Sequence, residues 1–275
     1  KTPPVEHLNA ESPKIPAIEH FRAESLRIPH VEHSGAESPK TPTKSHRILT
    51  QLELEEKLAT QDQELLSARD FVMIQCVGSR EGPGHSSNPR YSRPYCSRIC
   101  CQQAVKNALK LKELVPDANI YVVYRDMRTY GPFELYYQEA REAGVVFLRW
   151  KGCSSGDCQD EIFYGLAVDE NAEASKPLLV KVWDEFLDER VELKADFVIL
   201  STGIEPNDVS SLAKAFGLPL DPEGFFREED GKARPTQLSP EGFYVCGLAQ
   251  SPKTLEECII QGGAAAARAG AYLRR

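Results

Sequence analysis

The chain has 275 residues, 41% of them hydrophobic, and a formal net charge of −8. That length allows one or two domains, and the acidic balance argues against a nucleic-acid binder, which ordinarily displays a basic patch. There is no apolar run of membrane-spanning length and no signal-peptide pattern, so no membrane is expected and the eight cysteines are expected in a reducing cytoplasm.

The first 46 residues repeat with a period of 13: "KTPPVEHLNAESP", "KIPAIEHFRAESL", "RIPHVEHSGAESP" and a decaying "KTPTKSH". Each unit holds too few large apolar residues, and too much proline, to offset the entropy of ordering it, so 1–46 reads as a disordered tandem repeat. Five of the six histidines, His7, His20, His30, His33 and His46, come with the duplication. No cysteine or paired histidine at ligand spacing accompanies them, so weak metal binding is the lesser reading. The chain begins at Lys1, which points to a fragment or a processed product.

From Arg47 the texture changes. "ILTQLELEEKLATQDQELLSA" is helix-like, and 47–70 reads as a linker helix. Phe71–Val77 is a buried-strand candidate, followed by a loop rich in Gly, Pro, Ser and Arg from Gly78 to Pro94. "YCSRICCQQAVKNALKLKEL" reads as a helix with Ile99, Val105, Ala108, Leu109, Leu111 and Leu114 on one side. "ANIYVVYRDM" is a strand, "FELYYQEAREAG" a helix ended by Gly144, and "VVFLRW" a third strand. Strand–helix–strand–helix–strand implies a parallel sheet, and 71–200 reads as a Rossmann-like domain. Within it "EIFYGLAVD" and "LLVKVWDEFLDERVEL" suit a hairpin or small β-meander, and "ADFVILSTGI" is a strong buried strand. In 201–275, "GFYVCGL" reads as a short strand. "TLEECIIQGGAAAARAGAYL" reads as a helix with Thr254 as N-cap and Glu257 at capping-box spacing.

Four cysteines stand out. Cys76 closes a strand, and Cys96, Cys100 and Cys101 crowd the entrance of the next helix. A strand end and the following helix N-terminus are neighbours in a βαβ unit, so the four sulfurs can meet. Cys101 is rotated about 100° from Cys100 on an ideal helix, so the first turn must be distorted or start later for all to converge. The helix N-terminus favours anions and lowers thiol pKa. Four thiolates bind either tetrahedral zinc or an iron–sulfur cluster. The adjacent pair and the lack of a Cys-x2-Cys knuckle sit better with the larger span of a [4Fe–4S] cube. Buried packing, a regulatory disulfide or a nucleophile stay open. The histidine nearest in sequence for a nucleophile is His85, in the loop. Cys153, Cys158, Cys246 and Cys258 read as structural.

Several segments, in order, resemble the A-type subunit of heterodisulfide reductase and its homologues. They are "IQCVGSR", "YCSRICCQQAVKNAL", "YVVYRDMRTYG", "YYQEAREAGVVFLRW", "VILSTGIEPN", "GLPLDPEGFFREEDGKARP" and "FYVCGLAQSPKTLEECIIQGGAAAARA". The likeness runs from about Leu49 to the C-terminus. It implies a thioredoxin-reductase-like α/β fold that binds FAD, with a [4Fe–4S] cluster on Cys76, Cys96, Cys100 and Cys101. It also implies flavin contacts at Lys106, Thr202, Gly203, Gly247, Ala249, Lys253 and Thr254, with 201–275 as the FAD-contacting segment. The family's N-terminal G-x-G-x-x-G turn and its Cys-x2-Cys-x2-Cys modules are missing, and Leu248 stands where related reductases carry an acidic residue. The chain therefore resembles the C-terminal part of that protein, inactive alone, with FAD shared with a missing half. The implied role is electron transfer between FAD and the cluster, toward partner subunits and a donor such as ferredoxin or a hydrogenase or dehydrogenase subunit. The alternative is a cluster- or zinc-bearing interaction module that lost its flavin half.

Overall fold

The structure is a computed structural model that describes residues 46–80, 93–150, 177–184 and 186–274. The repeat up to 45, the loop 81–92 with His85, and 151–176 with Cys153, Cys158 and the first half of the expected meander lie outside them. All the described residues belong to the unit Thr43–Arg275.

Seven strands and six α-helices follow in chain order among the described residues. They are β1 (Ile48–Thr50), α1 (Gln51–Ala59), α2 (Gln63–Ser67), β2 (Asp70–Ile74), α3 (Cys100–Leu114) and β3 (Asn119–Tyr124). After them come α4 (Phe133–Glu142), β4 (Val146–Arg149), β5 (Leu178–Asp184), β6 (Glu189–Ala195), β7 (Phe197–Leu200), α5 (Ser210–Phe216) and α6 (Leu255–Tyr272). Five strands make a parallel sheet in the order β1-β7-β2-β3-β4. β5 and β6 pair antiparallel as a separate ribbon, which is the described part of the expected meander. The fold class is α/β, as the alternation of elements predicts.

Side-chain alternation along the strands sorts the core into two layers. Phe71 and Met73 of β2, with Phe197 and Ile199 of β7, face the helical side and pack with Leu54, Leu58, Ala104, Val105, Ala108 and Leu111. Phe71 and Phe197 stack at 5.9 Å, nearly parallel. Val72, Val198 and Leu200 point the other way, onto Val180, Val182 and Leu193 of the ribbon. A sheet covered on both faces needs continuous apolar runs, which "FVMI" and "FVIL" supply.

Residues 47–70 do not form a linker helix. Ile48–Thr50 pairs in parallel with β7, so this stretch supplies an edge of the sheet. The rest divides into α1 and α2 at Gln61, whose φ is +51°. Thr50 caps α1 with a reciprocal bond to Glu53, which fixes the strand-to-helix step. The short strand expected at "GFYVCGL" is reduced to one bridge, Gln237 to Tyr244, followed by a 3-10 turn at Gly247–Ala249. α5 lies in a stretch whose pattern signals no helix.

The connectivity places the site. From β2 the chain crosses through α3 to β3 on one side, while β7 lies on the other side of β2. The carboxyl ends of β2 and β7 therefore flank a topological switch point, the crevice where open α/β sheets bind ligands.

Candidate metal centre and the turn into α6

Cys76 stands two residues beyond β2, at that crevice. Its φ is +62°, a left-handed conformation that residues with a Cβ rarely adopt. The turn it begins is tied to the end of β7 by Val77 N–H donating to Ser201 O at 3.1 Å. Cys96 is outside the helix. α3 starts at Cys100, after Arg98 at φ +64°, and the Arg98 N–H donates to the Cys96 sulfur at 3.3 Å. A later helix start is one of the two conditions the spacing requires for convergence, and it is met. Arg80, at φ +62°, is a third left-handed residue here. Each such residue costs on the order of 1–3 kcal/mol, and such strain persists where surroundings over-determine it, often at functional sites.

All four are free thiols, and they act on one another electrostatically. Burial, then repulsion from Cys101, Cys76 and Cys96, pushes Cys100 up to about 12. Burial pushes Cys101 up to about 11, with Cys76 and Cys96 adding to it and a bond from the Arg128 backbone opposing it. Burial also raises Cys76, against the pull of Arg80 and Arg125. The helix N-terminus was expected to lower these thiols; at Cys100 and Cys101, burial and crowding win. Among the described residues no group of three or more Cys, His, Asp or Glu is placed to hold a metal ion.

Cationic side chains surround the thiols. Arg80 acts electrostatically on Cys76. It is anchored by Asp126 at 2.6 Å, and its carbonyl accepts from Arg125 Nη1 at 3.0 Å. Arg93 acts on Cys100 and pairs with Glu205. Buried side-chain atoms of Gln75, Ser79, Arg80, Gln102 and Thr129 find no hydrogen-bond partner among the described residues. Gln75 and Gln102 adjoin Cys76 and Cys101, Ser79 and Arg80 close the Cys76 turn, and Thr129 follows the Arg128 whose backbone bonds Cys101. Buried unpaired donors cost about 1–3 kcal/mol each, so each of them calls for an acceptor.

The "STG" stretch lies against the cysteine loop. Ser97 Oγ accepts from Ile204 N–H at 2.8 Å, Arg93 Nη1 donates to Thr202 O at 2.9 Å, and Tyr95 OH donates to Ile204 O at 2.8 Å. Gly203, at φ +81°, leaves no room for a side chain: a Cβ would stand 2.6 Å from Ser97 Oγ and 2.9 Å from Ser79 Oγ.

The second group of predicted residues forms a turn into α6. Gly247 has φ +66° and its N–H donates to Gln261 Oε1 at 2.7 Å, while Ala249 O accepts from Phe226 N–H at 3.0 Å. Lys253 bonds Gln250 and Ser251, and burial, then Arg98, lowers its pKa. Thr254 caps α6 in a capping box with Glu257. Arg98 joins the two groups by donating to Pro252 O, Tyr130 OH and Glu257 Oε1. Thus Thr202 and Gly203 touch the cysteine loop directly, and Lys253 and Thr254 are tied to it through Arg98. Lys106 is elsewhere: it is mostly exposed on α3 and paired with Glu55 of α1 at 2.6 Å. The arginines were the functional residues missed. Their one sequence signal is the arginine-rich composition of the loop around Cys96.

The site is thus a thiol cluster at the switch point of a parallel α/β sheet, joined to a glycine turn at a helix N-terminus. No protein-family model matches the chain. Among solved structures, a T. acidophilum thioredoxin reductase aligns with 85% of this chain and 64% of that one, at 17% identity and a TM-score of 0.47. Over most of its length the chain is a homologue of the A-type subunits of heterodisulfide reductases. It is 38% identical over 71% of its length to that iron–sulfur subunit of the CoB–CoM heterodisulfide reductase of Methanocaldococcus jannaschii. It is 36% identical over 79% to a protein of Archaeoglobus profundus named as like the same heterodisulfide reductase subunit. It is also 36% identical over 74% to the A-type subunit of the ferredoxin:CoB-CoM heterodisulfide reductase of Methanosarcina acetivorans. The chain spans only 27%, 28% and 23% of those three relatives. No helix among the described residues is long and apolar enough to cross a membrane.

Proposed function

We propose that this chain is the electron-transfer part of the A-type subunit of a heterodisulfide-reductase-like complex. In this reading Cys76, Cys96, Cys100 and Cys101 hold one [4Fe–4S] cluster beside a FAD that completes its site with sequence beyond the matched region. The carrying observation is that four free thiols from the β2 end and the α3 entrance act on one another electrostatically. A single tetrahedral ion needs ligands closed around one point, which the adjacent pair Cys100 and Cys101 makes awkward. A cube has a wider span, and its sulfides are acceptors for the N–H and O–H groups of Gln75, Ser79, Arg80, Gln102 and Thr129. Its thiolate-bound net negative charge suits the surrounding arginines.

When bound, the cluster supplies one-electron transfer and FAD couples it to electron pairs. The chain's own residues position both. Gly203 lets the cysteine loop lie against the end of β7, and Arg98 fixes that loop to the N-terminus of α6. A flavin bound at the N-terminus of α6 would meet that helix's partial positive charge, which would favour its anionic reduced form. Gly247, Ala249, Lys253 and Thr254 line that approach, with Thr202 and Gly203 opposite. Lys106 stays a candidate only if its pair with Glu55 opens. In this reading electrons would pass to partner iron–sulfur subunits in the cytoplasm, with ferredoxin, hydrogen or formate systems as donors; such systems appear in the names of two relatives.

The test is anaerobic reconstitution. The expected product holds four iron and four sulfide per chain, with a broad visible band that bleaches on reduction. Cys100→Ser is expected to lose most of the iron. Stoichiometric zinc with no iron, or full iron retention by Cys100→Ser, overturns the reading. Flavin binding is read separately, by adding FAD to the iron-loaded protein with and without the N-terminal region of a relative.

A further inference from the structure

We propose that Arg80 sets the reduction potential of the cluster, and that Asp126 moderates it. The inference rests on the cluster reading above. The arginines around the thiols are engaged differently. Arg93 is committed to Thr202 O and Glu205, and Arg98 to Pro252, Tyr130 and Glu257. Arg125 lies over the Trp150 ring at 4.8 Å and bonds the Arg80 carbonyl. Arg80 closes the turn that Cys76 begins, in which Ser79 N–H donates to Cys76 O at 3.1 Å, and it keeps a buried guanidinium nitrogen without a hydrogen-bond partner among the described residues.

The residue is held from three directions. Its Nη2 donates to Asp126 Oδ2 at 2.6 Å, and its backbone N–H donates to Tyr95 O at 3.2 Å. Its carbonyl accepts from Arg125 at 3.0 Å. Nη1 is buried and finds no hydrogen-bond partner among the described residues. The backbone accepts φ +62° to put it there. A donor left unpaired beside a ligand thiolate is placed to bond the cluster's sulfur atoms.

The consequence is electrostatic. Four thiolates on a [4Fe–4S] core carry a net charge of −2 when oxidised and −3 when reduced. A fixed cation with N–H···S bonds stabilises the more negative state, which raises the potential; hydrogen bonds to sulfur and local charge are established levers on such potentials. Asp126 is the counterweight. Its carboxylate pairs with Arg80 Nη2 at 2.6 Å and so offsets part of the guanidinium's field.

The two residues therefore predict opposite shifts. The experiment is a redox titration of reconstituted protein, reading the reduced cluster by electron paramagnetic resonance at poised potentials. Held at the wild-type midpoint, Arg80→Gln is expected to lower the reduced-to-oxidised ratio about tenfold, which is about 59 mV for a one-electron couple. Asp126→Asn is expected to raise that ratio, and Arg80→Lys to return it toward wild type. If Arg80→Gln does not load iron, the upward shift of Asp126→Asn and the position of Arg80→Lys decide the question. Midpoints equal to wild type at full iron content, or shifts of the same sign in Arg80→Gln and Asp126→Asn, overturn the proposal while leaving the cluster in place. A wild-type protein that takes up no iron overturns both readings, and iron analysis tells the two failures apart.

Discussion

Single residues decide whether the cysteine loop can lie against the sheet, and Gly203 is the most constrained of them. It needs a left-handed backbone, and a Cβ there would be 2.6 Å from Ser97 Oγ. That hydroxyl cannot swing away freely, because it accepts the Ile204 N–H at 2.8 Å. Gly203→Ala must therefore strain the backbone, break this bond or lift the loop carrying Cys96. The expected cost is about 1–3 kcal/mol in the folded protein, together with reduced iron retention. Gly262→Ala is the control: an added Cβ at Gly262, in the middle of α6, meets nothing within 4 Å. Removing backbone freedom there is expected to stabilise by about 0.4–1 kcal/mol and leave iron unchanged. Thermal midpoints and iron per chain measure both. Equal behaviour of the two variants would show that the loop does not depend on the close approach at Gly203.

At the scale of elements, the entrance of α3 carries a pH prediction for the iron-free protein. Relative to an ordinary thiol value of 9.0, Cys100 is raised to about 12 and Cys101 to about 11. The folded apo state thus keeps protons that the unfolded chain gives up. Its stability is whole below about pH 9 and falls as pH rises through 11 to 12, by up to about 1.4 kcal/mol per thiol per pH unit. Denaturant midpoints at mildly and strongly alkaline pH should show this fall in the apo protein. It should be much smaller once the thiolates are bound to metal, where acid instead competes for the ligands. The same entrance shows what the sequence makes legible. Strands β2, β3 and β7 announce themselves as apolar runs because both sheet faces are covered, and Thr254 with Glu257 announces the start of α6. β1 does not. "ILT" continues directly into a helix, and only pairing with β7 about 150 residues later makes it a strand. "GFYVCGL" misleads in the opposite way: its β-rich residues are spent on one bridge and a turn. The four cysteines could be found because their spacing is local. The arginines could not, since each acts through residues distant in the chain, such as Asp126, Thr202 and Glu257.

The whole molecule has an unbalanced side. α6 buries Ala265 but leaves Leu255 76%, Ile259 66% and Ile260 72% exposed, and beyond its end Leu273 is 83% exposed. Leu255 and Ile259 are one turn apart and so share a face, with Ile260 beside them. Monomers rarely leave large contiguous apolar patches open to water, and such patches mark interaction sites. The helix is nonetheless fixed at its N-terminal end by Arg98, by the Thr254–Glu257 cap and by Gln261 holding Gly247. An apolar helix anchored to the cysteine loop is the kind of surface the proposed shared flavin site would need a partner to cover. It follows that the isolated chain should associate through this face until a partner covers it. Sedimentation velocity is expected to show concentration-dependent association of the wild-type chain. Ile259→Glu with Ile260→Glu should shift it toward monomer, at unchanged iron content because neither side chain reaches the cysteine loop's contacts. In the presence of the N-terminal region of a relative and FAD, the same double variant should fail to retain flavin. A wild-type chain that stays monomeric at high concentration, and a double variant that retains flavin like wild type, would mean that this face covers nothing and that the flavin contacts lie on another surface.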